Sequence, residues 1–140
     1  MDIQCKKNKV FNLKHDIYTT DRITNEPIII DTKYKILSDK DTDNKISDVS
    51  QQDMYQMLAY GIRRRCNNIH MIYPELWGSQ EIDNISQRYM ITDEFSRDNI
   101  SIKVHRVPIY LHDCYGDYLN RANVKKTEDN LISCFYKILF

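Results

Sequence analysis

Three consecutive isoleucines, Ile28, Ile29 and Ile30, run directly into Asp31, Thr32 and Lys33, and this run constrains the fold more than any other segment. Side chains of a strand alternate between faces, so Ile29, Asp31 and Lys33 share one face, and Ile28, Ile30 and Thr32 the other. A strand that is apolar on both faces belongs inside a sheet with cover on each side. Charges in that setting are costly unless paired or bound to metal. Asp31 and Lys33 are therefore candidate functional residues.

The preceding segment, residues 10–19, alternates well enough for a strand, and Thr24, Asn25, Glu26 and Pro27 form a turn signal between the two. Together they predict an antiparallel hairpin. With its turn centred between residues 23 and 25, Asp16 falls opposite a residue between Asp31 and Lys33, about 5 Å across the strands. Downstream, Ser50 followed by Asp53 has the form of a capping box. The helix it opens carries Met54, Met57, Leu58 and Ile62 on an apolar face and Gln52, Gln56 and Tyr60 as a polar stripe on another. Arg63, Arg64 and Arg65 close it, where cations suit the helix dipole.

Residues 69–73 read as a strand stopped by Pro74. Residues 87–92 and 100–107 read as two more strands, residues 112–124 lack periodicity, and residues 128–139 read as a closing helix with Leu131, Ile132, Phe135 and Ile138 on one side. The predicted class is α/β (α+β), with a central mixed sheet flanked by helices. With 140 residues, one domain spanning residues 1–140 is expected.

Asp16, Asp31 and Lys33 suit metal-assisted phosphodiester cleavage. Two carboxylates offer hard oxygen ligands for Mg²⁺, with Mn²⁺ as a substitute, and the Thr32 backbone carbonyl at the strand end is a further candidate ligand. Lys33 would orient a water or stabilise charge developing on phosphorus. A surface hairpin with cross-strand ion pairs is the competing reading of the spacing alone.

The wider pattern adds to this. Asp16 on one strand, Asp31-Thr32-Lys33 on the next and Gln56-x-x-x-Tyr60 on the following helix resemble the PD-(D/E)XK nucleases of the RecB-like group. The strings Leu13-Lys-His-Asp-Ile17, Ile30-Asp-Thr-Lys-Tyr-Lys35, Asp53-Met-Tyr-Gln-Met-Leu-Ala-Tyr-Gly61 and Ile69-His-Met-Ile-Tyr-Pro-Glu75 are similar to the nuclease region of McrC-type subunits of modification-dependent restriction systems. The resemblance implies a restriction-endonuclease-like core in a cytoplasmic, Mg²⁺-dependent DNA endonuclease subunit. Asp16 and Asp31 would bind metal, Lys33 would be catalytic, and Gln56 and Tyr60 would sit beside the active site. It implies DNA and a GTP-hydrolysing AAA+ ring of the McrB type as partners.

Two departures stand out. His15 replaces the usual Pro before the first Asp, and only nine residues precede the first strand, too few for the family's usual first helix. The chain is accordingly expected to be the C-terminal portion of a longer architecture. The alternative function is a catalytically inactive nuclease-fold module that binds DNA or a partner ring.

Other features carry less. Residues 39–50, with Asp39, Asp41 and Asp43, imitate a calcium loop but have Asn44 and Ser50 where Gly and a bidentate Glu belong. His15, His70, His105 and His112 share no metal-ligand spacing. Cys5, Cys66, Cys114 and Cys134 form no CxxC pair, which disfavours a zinc ribbon and a disulfide framework. Tyr18, Tyr34, Tyr89 and Tyr110 fall in predicted strands, where packing is their default role. Twenty basic and 20 acidic residues cancel, so net charge makes no argument for nucleic acid. No Gly-rich phosphate loop is present, and no apolar run reaches the roughly 18 residues of a membrane helix.

Overall fold

The computed structural model describes residues 14–37, 49–76, 87–92, 99–109 and 121–140. The elements follow in the order β1 (Ile17–Thr20), β2 (Pro27–Thr32), α1 (Gln51–Arg64), β3 (Asn68–Leu76), β4 (Gln87–Thr92), β5 (Asn99–Ile109) and α2 (Arg121–Leu139). They build one five-stranded mixed sheet in the order β1-β2-β3-β5-β4, an α+β arrangement as expected. β1 and β2 pair antiparallel, as do β4 and β5, while β3 runs parallel to both β2 and β5. The isoleucine strand is therefore interior, with β3 at the centre of the sheet.

The two faces of β2 feed two separate cores. Ile29 joins Met57 and Tyr60 of α1, with Ile69, Met71 and Tyr73 of β3 and Ile100, Ile102 and Val104 of β5. Ile28 and Ile30 join Ile72, Val107 and the α2 residues Cys134 and Ile138. One helix thus covers each face, and that double cover explains why three isoleucines in a row are accommodated.

The hairpin forms where the sequence places it. Asp21 closes the turn: its carboxylate accepts from the Ile23 and Thr24 N–H groups at 2.7 and 2.9 Å, and Asn25 takes a positive φ of 58°. Ile17 pairs with Ile30, so the register continued by one residue sets Asp16 against Asp31. At the start of α1 the Ser50 hydroxyl accepts from the Asp53 N–H, the first half of the predicted cap. At its end Arg65 adopts the left-handed conformation, and the Cys66 N–H reaches back to the Gly61 carbonyl at 2.9 Å, a six-residue closure of the last turn.

Several expectations need correcting. β3 does not stop at Pro74 but runs on to Leu76, paired with β5. The Ile72 carbonyl accepts from the Lys33 N–H at 2.9 Å, so Ile72, and Pro74 two residues later, turn their backbone groups towards β2. Pairing with β2 has ended by then, and the N–H that proline lacks has no strand to serve. On α1, Ile62 is exposed whereas Tyr60 is buried, so Tyr60 belongs to the core face and not to a solvated stripe. α2 begins at Arg121, seven residues before its predicted start, because the packed second half propagates helix into a mostly polar first half. Its buried stripe is Leu131, Cys134, Phe135 and Ile138, with Ile132 turned outward. Tyr34 lies beyond β2 and is fully exposed, not packed.

The calcium-like loop up to Asp48, the chain before Lys14, and Cys5, Cys114, Tyr110 and His112 lie outside the described residues, as does the question of the family's first helix. Cys66 and Cys134 are buried free thiols. Among the described residues no helix is long and apolar enough to cross a membrane.

Candidate active site

The carboxyl end of β2, the middle of β3 and the first two turns of α1 converge around Lys33. Its ammonium donates to the Asp31 Oδ2 at 2.6 Å and to the Gln56 Oε1 at 2.7 Å, with the Asp53 Oδ1 at 3.8 Å. Gln56 is locked in turn, since its Nε2 donates to the Tyr60 hydroxyl at 2.8 Å, one helical turn further on. The Tyr60 hydroxyl donates to the Lys14 carbonyl at 2.5 Å, two residues before Asp16. A continuous chain of bonds therefore runs from Asp31 through Lys33, Gln56 and Tyr60 to the segment that carries Asp16. All five side chains singled out in the sequence are brought together.

Asp16 is fixed by β2 itself. Its Oδ2 accepts from the Thr32 N–H at 2.7 Å and the Thr32 hydroxyl at 2.5 Å, and these bonds hold its carboxyl below the usual carboxylate range. The N–H and C=O of a strand residue point to the same side, so the Thr32 carbonyl also faces the Asp16 side of the strand. Asp31 behaves oppositely. It is 4% exposed, and burial raises its carboxyl above the usual range despite the Lys33 ammonium, with the negative charges of Asp16 and Asp53 adding to the rise. A desolvated carboxylate crowded by two others is a setting that a cation relieves.

The donor set fits a hard divalent ion. Asp16, just before β1, and Asp31 on β2 offer carboxylate oxygens of the hard type such ions prefer, and each has one oxygen committed within the protein, Oδ2 in both cases. Among the described residues no group of three His, Cys, Asp or Glu side chains has metal-holding geometry, so any ion here would complete its shell with backbone oxygen, water or substrate.

His15, which stands where proline was expected, packs edge-on against Tyr18 and Tyr60, at ring-centroid distances of 5.4 and 5.9 Å. Its ring thus shares in positioning Tyr60. Of the arginines closing α1, Arg64 lies over the Tyr18 ring at 5.3 Å. Gln52, grouped with Gln56 and Tyr60 in the sequence, is exposed.

Sequence reasoning assigned Asp53 to the helix cap alone, yet its carboxylate points into the site. Burial works to raise it, but Lys35, the Tyr73 hydroxyl, Ser50 and the charge of Lys33 outweigh this and hold it below the usual range. The signal available was the spacing of Asp53 and Gln56, three residues apart on one helix face. His70 and His105 were likewise read separately, and adjacent parallel strands bring them together with ring nitrogens 2.7 Å apart, on the α2 side of the sheet away from this site.

A family model described as McrBC 5-methylcytosine restriction system component matches residues 2–74, while no curated protein and no solved structure matches the chain. The matched stretch contains Asp16, Asp31, Lys33, Asp53, Gln56 and Tyr60. It spans a little over half of the 140 residues, and the chain belongs to the family of McrBC 5-methylcytosine restriction system components.

Proposed function

We propose that this chain is the DNA-cleaving component of a modification-dependent restriction system, with a PD-(D/E)XK-type site of the RecB-like group built on Asp16, Asp31 and Lys33. The observation that carries this reading is the bonded path from Asp31 through Lys33 and Gln56 to Tyr60, which ties the two carboxylate-bearing segments to one helix. Asp16, Asp31 and the Thr32 carbonyl would hold Mg²⁺, or Mn²⁺ in its place. Such an ion supplies Lewis-acid polarisation of a phosphoryl oxygen and acidifies a bound water.

The chain's own groups do the rest. Thr32 orients the Asp16 carboxylate, and Gln56 aims the Lys33 ammonium, whose charge offsets the negative charge that builds on phosphorus as water attacks in line. Tyr60 keeps Gln56 and the Lys14 backbone at a fixed separation, so α1 and the segment that carries Asp16 stay in place relative to each other. Family membership supports a partner of the McrB type, an AAA+ GTPase, with DNA as the substrate.

Cleavage of methylated plasmid in the presence of the partner ring tests the reading. Asp31→Ala and Lys33→Ala are each expected to abolish cutting while the circular dichroism spectrum stays native. Undiminished cutting by either variant refutes it. A wild-type chain that binds DNA or the ring but never cuts would leave the inactive-module reading standing instead.

A further inference from the structure

The Lys33 ammonium has three protons and only two short partners. The third direction is filled by the Asp53 Oδ1 at 3.8 Å, within ion-pair range but about 1 Å beyond a hydrogen bond. Asp53 is not free to turn. Its Oδ2 accepts from the Tyr73 hydroxyl at 2.9 Å and pairs with the Lys35 ammonium, which also donates to the Ser50 hydroxyl at 2.9 Å. Its own N–H is bound by Ser50, so the residue is clamped by strand β3, by the segment after β2 and by the helix cap together. The oxygen left over is the one aimed at Lys33.

We infer that Asp53 is a positioning residue for Lys33, a second anchor that takes hold of the ammonium when Asp31 is drawn towards a cation. The inference rests on the reading that Asp16 and Asp31 hold a divalent ion. Asp31 cannot give its full charge both to that ion and to Lys33. As its hold weakens, the flexible lysine shifts by about 1 Å to the Asp53 Oδ1 and keeps its bond to Gln56. Because Asp53 and Gln56 lie three residues apart on α1, the helix presents two oxygens to one ammonium, and Lys33 keeps its direction through the change. Asp53 touches neither substrate nor metal in this scheme.

The experiment follows the Lys33 ¹⁵Nζ signal by NMR in the full chain, with and without Mg²⁺. In the wild type, Mg²⁺ is expected to shift this signal while the ammonium stays restrained. In Asp53→Asn, Mg²⁺ is expected to bind with unchanged affinity and to release the ammonium into fast motion. With the partner ring and DNA, the same variant should lose roughly 10- to 100-fold in kcat with KM for DNA unchanged, and Asp53→Glu should restore part of it. If Asp53→Asn does not fold, Tyr73→Phe is read in its place, since it removes one of the two partners that hold the Oδ2 and should loosen Lys33 in Mg²⁺ to a lesser degree. An ammonium equally restrained in wild type and variant overturns the role of Asp53 alone. No response of the wild-type signal to Mg²⁺ overturns the cation site and this inference with it.

Discussion

Asp31 shows how a single residue can be held at a cost to the fold. Its carboxyl sits above the ordinary carboxylate range because burial outweighs the Lys33 ion pair, so its charged form is less favoured in the native state than in the unfolded chain. Removing the charge without changing the shape should therefore relieve the protein. In the absence of metal, Asp31→Asn is expected to leave stability at neutral pH unchanged or raised by up to about 1 kcal/mol, while abolishing Mn²⁺ binding. Urea denaturation and a metal titration check the two halves, and a marked loss of stability would mean that the pair with Lys33 dominates after all. At this scale the hairpin register pointed to Asp16, Asp31 and Lys33, but spacing alone left a surface hairpin as a competing reading, and it took the resemblance of the wider pattern to add Gln56 and Tyr60. Asp53 stayed hidden because an acid three residues after Ser50 already has a sufficient local reason, the helix cap.

Among the elements, α1 matters most, since it carries Asp53, Gln56 and Tyr60 and covers one face of the sheet. Its approach to β3 is set by Gly61. A Cβ there would lie 3.0 Å from the Cys66 carbonyl oxygen, 3.0 Å from the Ile69 Cδ1 and 3.3 Å from the Ile100 Cδ1. Alanine normally favours a helix interior over glycine by about 1 kcal/mol. Here the isoleucine tips can yield but the Cys66 carbonyl, fixed at the helix end, cannot. Gly61→Ala is accordingly expected to destabilise the chain by about 1–2 kcal/mol net, the overpacking cost exceeding the propensity gain. Chemical denaturation measures it, and a stabilised variant would show that helix and sheet have slack between them. The apolar spacing of α1 predicted a helix but misplaced its inner edge: Ile62 is exposed and Tyr60 buried, because an aromatic ring with one polar end can fill the core and still reach the site. Likewise the first half of α2 and the stretch of β3 beyond Pro74 owe their form to neighbours, which local pattern does not report.

For the whole molecule, the least visible feature was the pairing of two histidines 35 residues apart, which depends on parallel strands meeting through a crossover. His70 and His105 are each 2% exposed, their rings stack at 5.0 Å, and one ring nitrogen donates to the other. Burial, then the positive charges of His105 and Lys103, push His70 down from 6.5 to about 3. An unfolded chain takes up this proton near pH 6.5 whereas the native one resists it until about pH 3, so the unfolded state binds more protons across that interval. Stability from the neutral ring is complete above pH 6.5 and declines as the pH falls towards 3, by at most about 1.4 kcal/mol per pH unit. Asp31 opposes this trend because its raised carboxyl takes up a proton more readily in the native state, and Asp16 and Asp53, held low, lose their contributions only below about their ordinary 3.8. Of these four groups, His70 alone gives stability that falls with pH between 6.5 and 4. Urea midpoints taken across that range should fall with pH in the wild type and stay nearly level in His70→Gln, where an uncharged amide replaces the ring. A variant that loses stability in acid as steeply as the wild type would place the proton uptake on another group.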